Sequence, residues 1–191
     1  CSSLTYFYVG FNMSRLPYSN YTFRKAVYLS FSMDQAVQAI FNATAKTAVR
    51  AYGALPPTLW GNDQEYLKEN IALKEDDERA SELFDCLKKE GILDKNKTIT
   101  IYCPPDPRRK RLATIIATNL KEHGLNAETQ PLEWGAYTDL NYRGENNPLG
   151  QTDIYIIEFG MDPDPDTVMY PKFHSDNTEL GAANNHAFYF D

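Results

Sequence analysis

Three aspartates alternate with two prolines in the run Asp162-Pro163-Asp164-Pro165-Asp166. Carboxylates at that density can hold a cation or the ammonium group of a ligand. An EF-hand calcium loop uses the same one, three, five spacing, but it also needs glycine at position six and glutamate at position twelve. Here those positions are Thr167 and Phe173, so the EF-hand fails, although a cation site of another kind stays open. For Asp164 and Asp166 the local alternative is an Asx-type turn, in which the carboxylates accept from nearby backbone amides. Asp162 is the sharper candidate for binding, because it lies nearest the end of a strand.

Catalytic patterns are absent. The chain has no GxSxG, HExxH, GxxxxGK or GxGxxG, and His123, His174 and His186 stand apart from any serine or cysteine elbow. The expectation is no catalytic role, no cofactor and no metal. Cys1, Cys86 and Cys103 have no metal-ligand spacing, and an odd count argues against a disulfide framework. A Cys86–Cys103 bridge is one option; two buried free thiols are favoured.

The element that must position Asp162 is Asp153-Ile154-Tyr155-Ile156-Ile157, a short apolar run rich in β-branched and aromatic residues. Such a run suits a central strand covered on both faces. Proline fixes φ and removes a backbone donor, so the chain leaves the sheet at Pro163 and Pro165. Ligands gather outside the carboxyl ends of strands in open α/β sheets, which makes this strand end the candidate site.

Further elements follow from periodicity. Leu4–Asn12 reads as a strand, Phe23–Phe41 as one amphipathic helix, Ala51–Trp60 as a proline-rich loop pinned by Trp60, and Asp76–Glu90 as a charged helix stopped by Gly91. Then Thr98–Cys103, Arg108–His123, Leu125–Leu132, Trp134–Asn141 and Thr152–Phe159 alternate strand and helix, with Asp106 as an N-cap. That is the βαβ pattern of a parallel sheet. The polar loop Asn141–Gly150 is expected to be exposed and mobile. The run Arg108-Arg109-Lys110-Arg111 reads as a solvated first helical turn.

The 191 residues, 42% of them hydrophobic, suffice for one α/β domain with a real core. A formal charge of −7 disfavours nucleic acid as a partner. No apolar run reaches the length of a membrane span. The opening CSSLTYFYVGFN shows no signal peptide and enters a strand almost at once, so residues 1–191 read as an excised piece of a longer chain.

Several segments in order resemble the family 5 extracellular solute-binding proteins, the oligopeptide and dipeptide receptors of bacterial ABC importers. Gly10–Val37 (GFNMSRLPYSNYTFRKAVYLSFSMDQAV) is similar to the family's FN, proline turn and Arg-x-Ala helix, with Arg24, Ala26 and Asp34 matching. Leu55-Pro56-Pro57, Trp60-Gly61, the helix Ala80–Gly91, and Glu133-Trp134 with Tyr137 resemble further family segments. Phe159-Gly160-Met161-Asp162, Asp164-Pro165-Asp166 and Phe173-His174-Ser175 resemble its last block, with Phe159 where tryptophan is usual.

The resemblance implies that residues 1–191 form one lobe, mainly the second, of a two-lobed receptor that closes on its ligand. It implies peptide capture for uptake, with Asp162 pairing with the peptide's α-amino group and Phe159, Gly160 and Met161 lining the same site. A charge-assisted hydrogen bond of this kind contributes on the order of 1.5–3 kcal/mol. It further implies ABC-transporter permease subunits as partners, a monomer, and an extracytoplasmic location, periplasmic or at the cell surface through a lipid anchor outside this chain. The isolated lobe is expected to bind weakly or not at all. A chelated metal or a sugar as the solute, and a ligand-sensing domain of a transcription regulator, are the alternatives.

Overall fold

The computed structural model describes residues 4–41, 48–94, 96–141, 150–160 and 162–178. Four strands form one sheet: β1 (Thr5–Phe11), β2 (Ile99–Cys103), β3 (Ala127–Pro131) and β4 (Ile154–Gly160), in the order β1-β4-β2-β3. The helices are α1 (Tyr21–Leu29), α2 (Met33–Phe41), α3 (Gln64–Asn70), α4 (Asp77–Lys89), α5 (Pro107–Glu122), α6 (Trp134–Asn141) and α7 (Asp166–Phe173).

β2 pairs in parallel with both β3 and β4, as the alternating pattern predicts. β1 instead runs antiparallel to β4, from Phe11 opposite Ile154 to Thr5 opposite Gly160. The parallel expectation therefore holds only for the βαβ part, since β1 is joined to the sheet by no βαβ crossover and is free to run the other way. The chain steps from β2 outward to β3, then back across β2 to β4. Crossovers of one hand in opposite directions must pass over opposite faces. α5 accordingly packs with Ile154 and Ile156, while Tyr137 of α6 packs with Tyr155 and Ile157 on the other face. With both sides covered, Ile154 to Ile157 are all buried, as their apolar run requires.

α1 and α4 close the α5 side of the core. Phe23 and Phe84 are fully buried and meet edge to face at 6.2 Å. Burying a side chain of this size stabilises by about 1.5–3 kcal/mol. The single helix expected over Phe23–Phe41 is two helices. Ser30 turns its hydroxyl onto the carbonyl of Val27 (2.8 Å), and the Ser32 hydroxyl accepts the Gln35 amide (3.3 Å). Serine side chains that bond the local backbone end one helix and cap the next. In α2 only Ala36 is buried.

α3 lies in a stretch to which the sequence reading assigns no element, and α7 starts in the proline-rich run read as an Asx-type turn. The expected cap is present: Asp106 accepts the amides of Arg108 (3.0 Å) and Arg109 (3.2 Å), with Pro107 opening the helix. Gly91, with φ at +71°, follows α4 in the left-handed conformation expected of its stop.

Other expectations are corrected. Trp60 is 69% exposed, so it does not pin its loop by burial; Asn62 does so, donating to the carbonyls of Leu55 and Pro56. Cys86 and Cys103 are both free, but Cys86 is exposed, because it lies on the outer face of α4. Residues 142–149, for which a mobile loop was expected, lie outside the described residues. No helix among the described residues is long and apolar enough to cross a membrane.

At the amino end of β4 the buried Asp153 ties three segments together. It accepts the Thr100 amide of β2 (3.0 Å) and the Arg15 guanidinium (2.9 Å), and Arg15 also donates to the carbonyls of Gln151 and Thr152. Burial, then the Asp153 carboxylate, drives the Tyr18 hydroxyl far above its usual pKa. This end of β4 is fixed; the other end is open.

Candidate functional site at the carboxyl end of β4

β2 stops at Cys103 because Pro104 and Pro105 cannot continue a ladder, so its pairing with β4 covers only Ile154 and Tyr155. β1 accompanies β4 to Gly160. From Ile156 onward, among the described residues, β4 has a strand on one edge only. Tyr137 donates its hydroxyl to the Ile156 carbonyl (3.0 Å), and beyond that point the edge presents the peptide groups of Glu158 and Gly160, because those of Ile157 and Phe159 face β1.

Side chains alternate along this protruding segment. Tyr155 and Ile157 sit in a tyrosine-rich cluster with Tyr8, Tyr102, Tyr137 and Leu132. The Tyr155 ring crosses over Gly10: a Cβ there would stand 2.1 Å from the ring. Tyr6, opposite Phe159, donates to the Gly53 carbonyl (2.5 Å), and burial raises its pKa to about 12. On the opposite face Glu158 pairs with Arg109 at 2.6 Å, and both side chains are largely covered, 27% and 13% exposed. Arg109 and Arg108 also lie over the Phe7 ring, at 5.4 Å and 5.3 Å. The basic run is thus not simply a solvated turn, because Arg109 is covered against the sheet and the exposed Arg108 still lies over Phe7.

Of the residues singled out from sequence, Phe159 and Gly160 end β4 opposite Tyr6 and Thr5. Met161 lies outside the described residues. Asp162 is exposed, two residues past the strand, and forms no ion pair among the described residues. Asp164 has the Asx role: its carboxylate accepts the Asp166 amide (3.0 Å), and its carbonyl accepts the Thr167 hydroxyl (2.6 Å), which opens α7. Asp166 lies in the first turn of that helix, where a carboxylate favours the dipole. In α7 Tyr170 lies against His174 at 4.6 Å and donates to Asp176 (3.3 Å), whose charge raises the tyrosine pKa. Burial lowers Lys172 to about 8.

Ser81, His123 and Asp77 approach one another, with Ser81 Oγ 2.9 Å from His123 Nδ1 and His123 Nε2 3.7 Å from Asp77. Ser81 and Asp77 are one turn apart on α4, and the ring packs on Phe84. The trio clasps α4 to the end of α5; it lines neither of two clefts on the surface. One, of about 280 Å³, is lined by Tyr28, Phe31, Asp34, Arg50 and Lys74, and the other by Thr98, Lys121 and the run from Gly124 to Glu128. Among the described residues no cluster of three or more His, Cys, Asp or Glu could hold a metal ion.

Arg109 and Glu158 were missed from sequence. The signal was strand parity, since Glu158 shares a face with Ile154 and Ile156 and must meet the first turn of α5.

The profile of the bacterial extracellular solute-binding proteins, family 5 Middle, matches residues 2–179. The chain is similar to the dipeptide-binding protein of Escherichia coli (strain K12), 26% identical over 182 residues, covering 92% of this chain and 31% of that protein. It is similar to the di/tripeptide-binding protein 3 of Pseudomonas aeruginosa (strain UCBPP-PA14), 26% identical over 147 residues, covering 74% and 26%. Among solved structures, the oligopeptide-binding protein AppA of Bacillus subtilis, in complex with a nonapeptide, superposes with a TM-score of 0.78 at 20% identity, covering 100% of this chain and 37% of that one. The dipeptide-binding protein of Pseudoalteromonas sp. SM9913, in complex with Met-Leu, gives 0.79 at 22%, covering 100% and 35%. The chain spans between 25% and 32% of the length of the curated relatives it matches. By the profile match along nearly its whole length, it belongs to the bacterial extracellular solute-binding proteins of family 5.

Proposed function

We propose that residues 1–191 are one lobe of a two-lobed receptor that captures peptides outside the cytoplasm for an ABC importer. The observation that carries this reading is the protruding end of β4, one edge unpaired by any described strand, followed two residues later by the exposed Asp162. An extended peptide can add to such an edge through main-chain hydrogen bonds, which are indifferent to side chains. Its α-amino group then meets the Asp162 carboxylate, while Phe159, Gly160 and Met161 line the same contact. Relatives named for di- and tripeptides support the ligand class. The opposite wall of the site, the contact with the permease subunits, the lipid anchor and the monomeric state belong to the full-length protein. No catalytic step is part of the role.

Calorimetric titration of the full-length protein carrying this chain, with Met-Leu, tri-alanine and a mixed nonapeptide pool, tests the assignment. Free peptides are expected to bind. Asp162→Ala or N-acetylation of the peptide is expected to weaken binding at least tenfold, about 1.4 kcal/mol. Tight binding that neither change affects would remove Asp162 as the amine anchor. No binding by any peptide would reject peptides and direct the search to chelated metals and sugars.

A further inference from the structure

Arg109 is a largely covered cation whose partner is one residue from Phe159 and two from Gly160. It sits in the first turn of α5, fixed by the Asp106 cap, by the Glu158 carboxylate at 2.6 Å and by the Phe7 ring at 5.4 Å. Phe7 is the residue opposite Glu158 in the β1–β4 ladder and meets Phe41 of α2 edge to face at 5.1 Å. Arg108 lies over both rings, at 5.3 Å and 5.9 Å. One guanidinium therefore joins α5 to the last pleats of β4 and, through Phe7, to the first pleats of β1. The same stretch of β4 has lost β2 as a neighbour, because that ladder ends at Tyr155. A two-stranded ribbon is free to twist and fray. The Arg109–Glu158 pair is placed where β2 no longer restrains it.

We infer that Arg109 is a positioning residue for ligand capture: through Glu158 it holds the protruding end of β4 in the conformation to which the peptide edge pairs. The inference rests on the peptide reading for its ligand but not for its structural half. A preformed strand binds without the cost of ordering it first. Loss of the pair therefore lowers affinity although Arg109 touches no ligand.

The test uses the full-length protein with Arg109→Met, which keeps the stem on Phe7 and removes the charge, and Glu158→Gln as a second variant should the first not fold. Two readouts are taken. Hydrogen exchange of the Ile157 and Phe159 amides, the two that bond β1 in this segment, is expected to speed up at least tenfold in the free protein, with the amides of Ile99–Cys103 unchanged. The Kd for the tightest binder among Met-Leu, tri-alanine and the nonapeptide pool is expected to rise at least tenfold at unchanged stoichiometry. The double exchange Arg109→Glu with Glu158→Arg is expected to restore both in part. A merely structural role would lower Tm or the binding-competent fraction and leave Kd alone. Unchanged exchange at Ile157 and Phe159 overturns the inference, as does an unchanged Kd. If the unaltered protein binds none of the peptides, that failure belongs to the peptide reading, and exchange alone decides the role of Arg109.

Discussion

Gly10 shows how a single residue makes room for the tyrosine cluster on one face of the sheet. Tyr155 is 1% exposed and held between Tyr8 and its cluster, so its ring cannot swing away from an added methyl group. Gly10→Ala is expected to cost about 1–3 kcal/mol by urea unfolding, the usual range for overpacking. Combining it with Tyr155→Leu should cost less than the sum of the two single changes. A strand glycine marks a close approach, but nothing in the stretch Val9-Gly10-Phe11 names the ring that approaches it. That ring is 145 residues away in sequence, in the register opposite. Arg109 was hidden for a related reason. In sequence it is one of four successive cations, and only the placement of α5 across β4 separates Arg109, which folds inward, from the other three, which stay exposed.

Elements whose ends are written in local chemistry were legible. Asp106 caps α5, and its hydrogen bonds form within three residues. Burial works to raise the Asp106 pKa, but the amides of Arg109 and Arg108 and the Arg108 guanidinium outweigh it and hold the carboxyl below its ordinary value. A lowered carboxylate contributes stability that is complete above its unfolded pKa, near 4, and is lost as pH falls through the folded value. Asp106→Ala is therefore expected to lower stability by about 1 kcal/mol at neutral pH. The gap between variant and parent should close in acid, as followed by urea midpoints across pH 2–7. By contrast, the break between α1 and α2 is made by two serines inside an otherwise continuous apolar stripe. The stripe speaks for one helix, and the serine hydroxyls win because each offers the backbone a bond the helix cannot. α7 was obscured in the same way by prolines, which open it at Pro165 and are tolerated inside it at Pro171.

For the molecule as a whole, the βαβ alternation predicts the sheet, and the opposite placement of α5 and α6 follows from strand order once that is known. The antiparallel β1 could not be read, since no local signal states which strand an isolated one will join. Nor does the sequence report which aromatic residues stay outside. The chain has only two tryptophans, Trp60 and Trp134, and both are on the surface, 69% and 52% exposed. Among the described residues the fully buried rings are Tyr18, Tyr137, Tyr155, Phe23 and Phe84. Indole emission from the native chain should therefore already resemble that of a solvated tryptophan, and iodide should quench it freely. Unfolding of residues 1–191 should leave that emission nearly unmoved while the near-ultraviolet circular dichroism of the packed tyrosines collapses. A denaturation curve followed by tryptophan fluorescence would then look flat for a protein that is losing its core, so the indoles report on what touches the surface and the tyrosines on whether the fold survives.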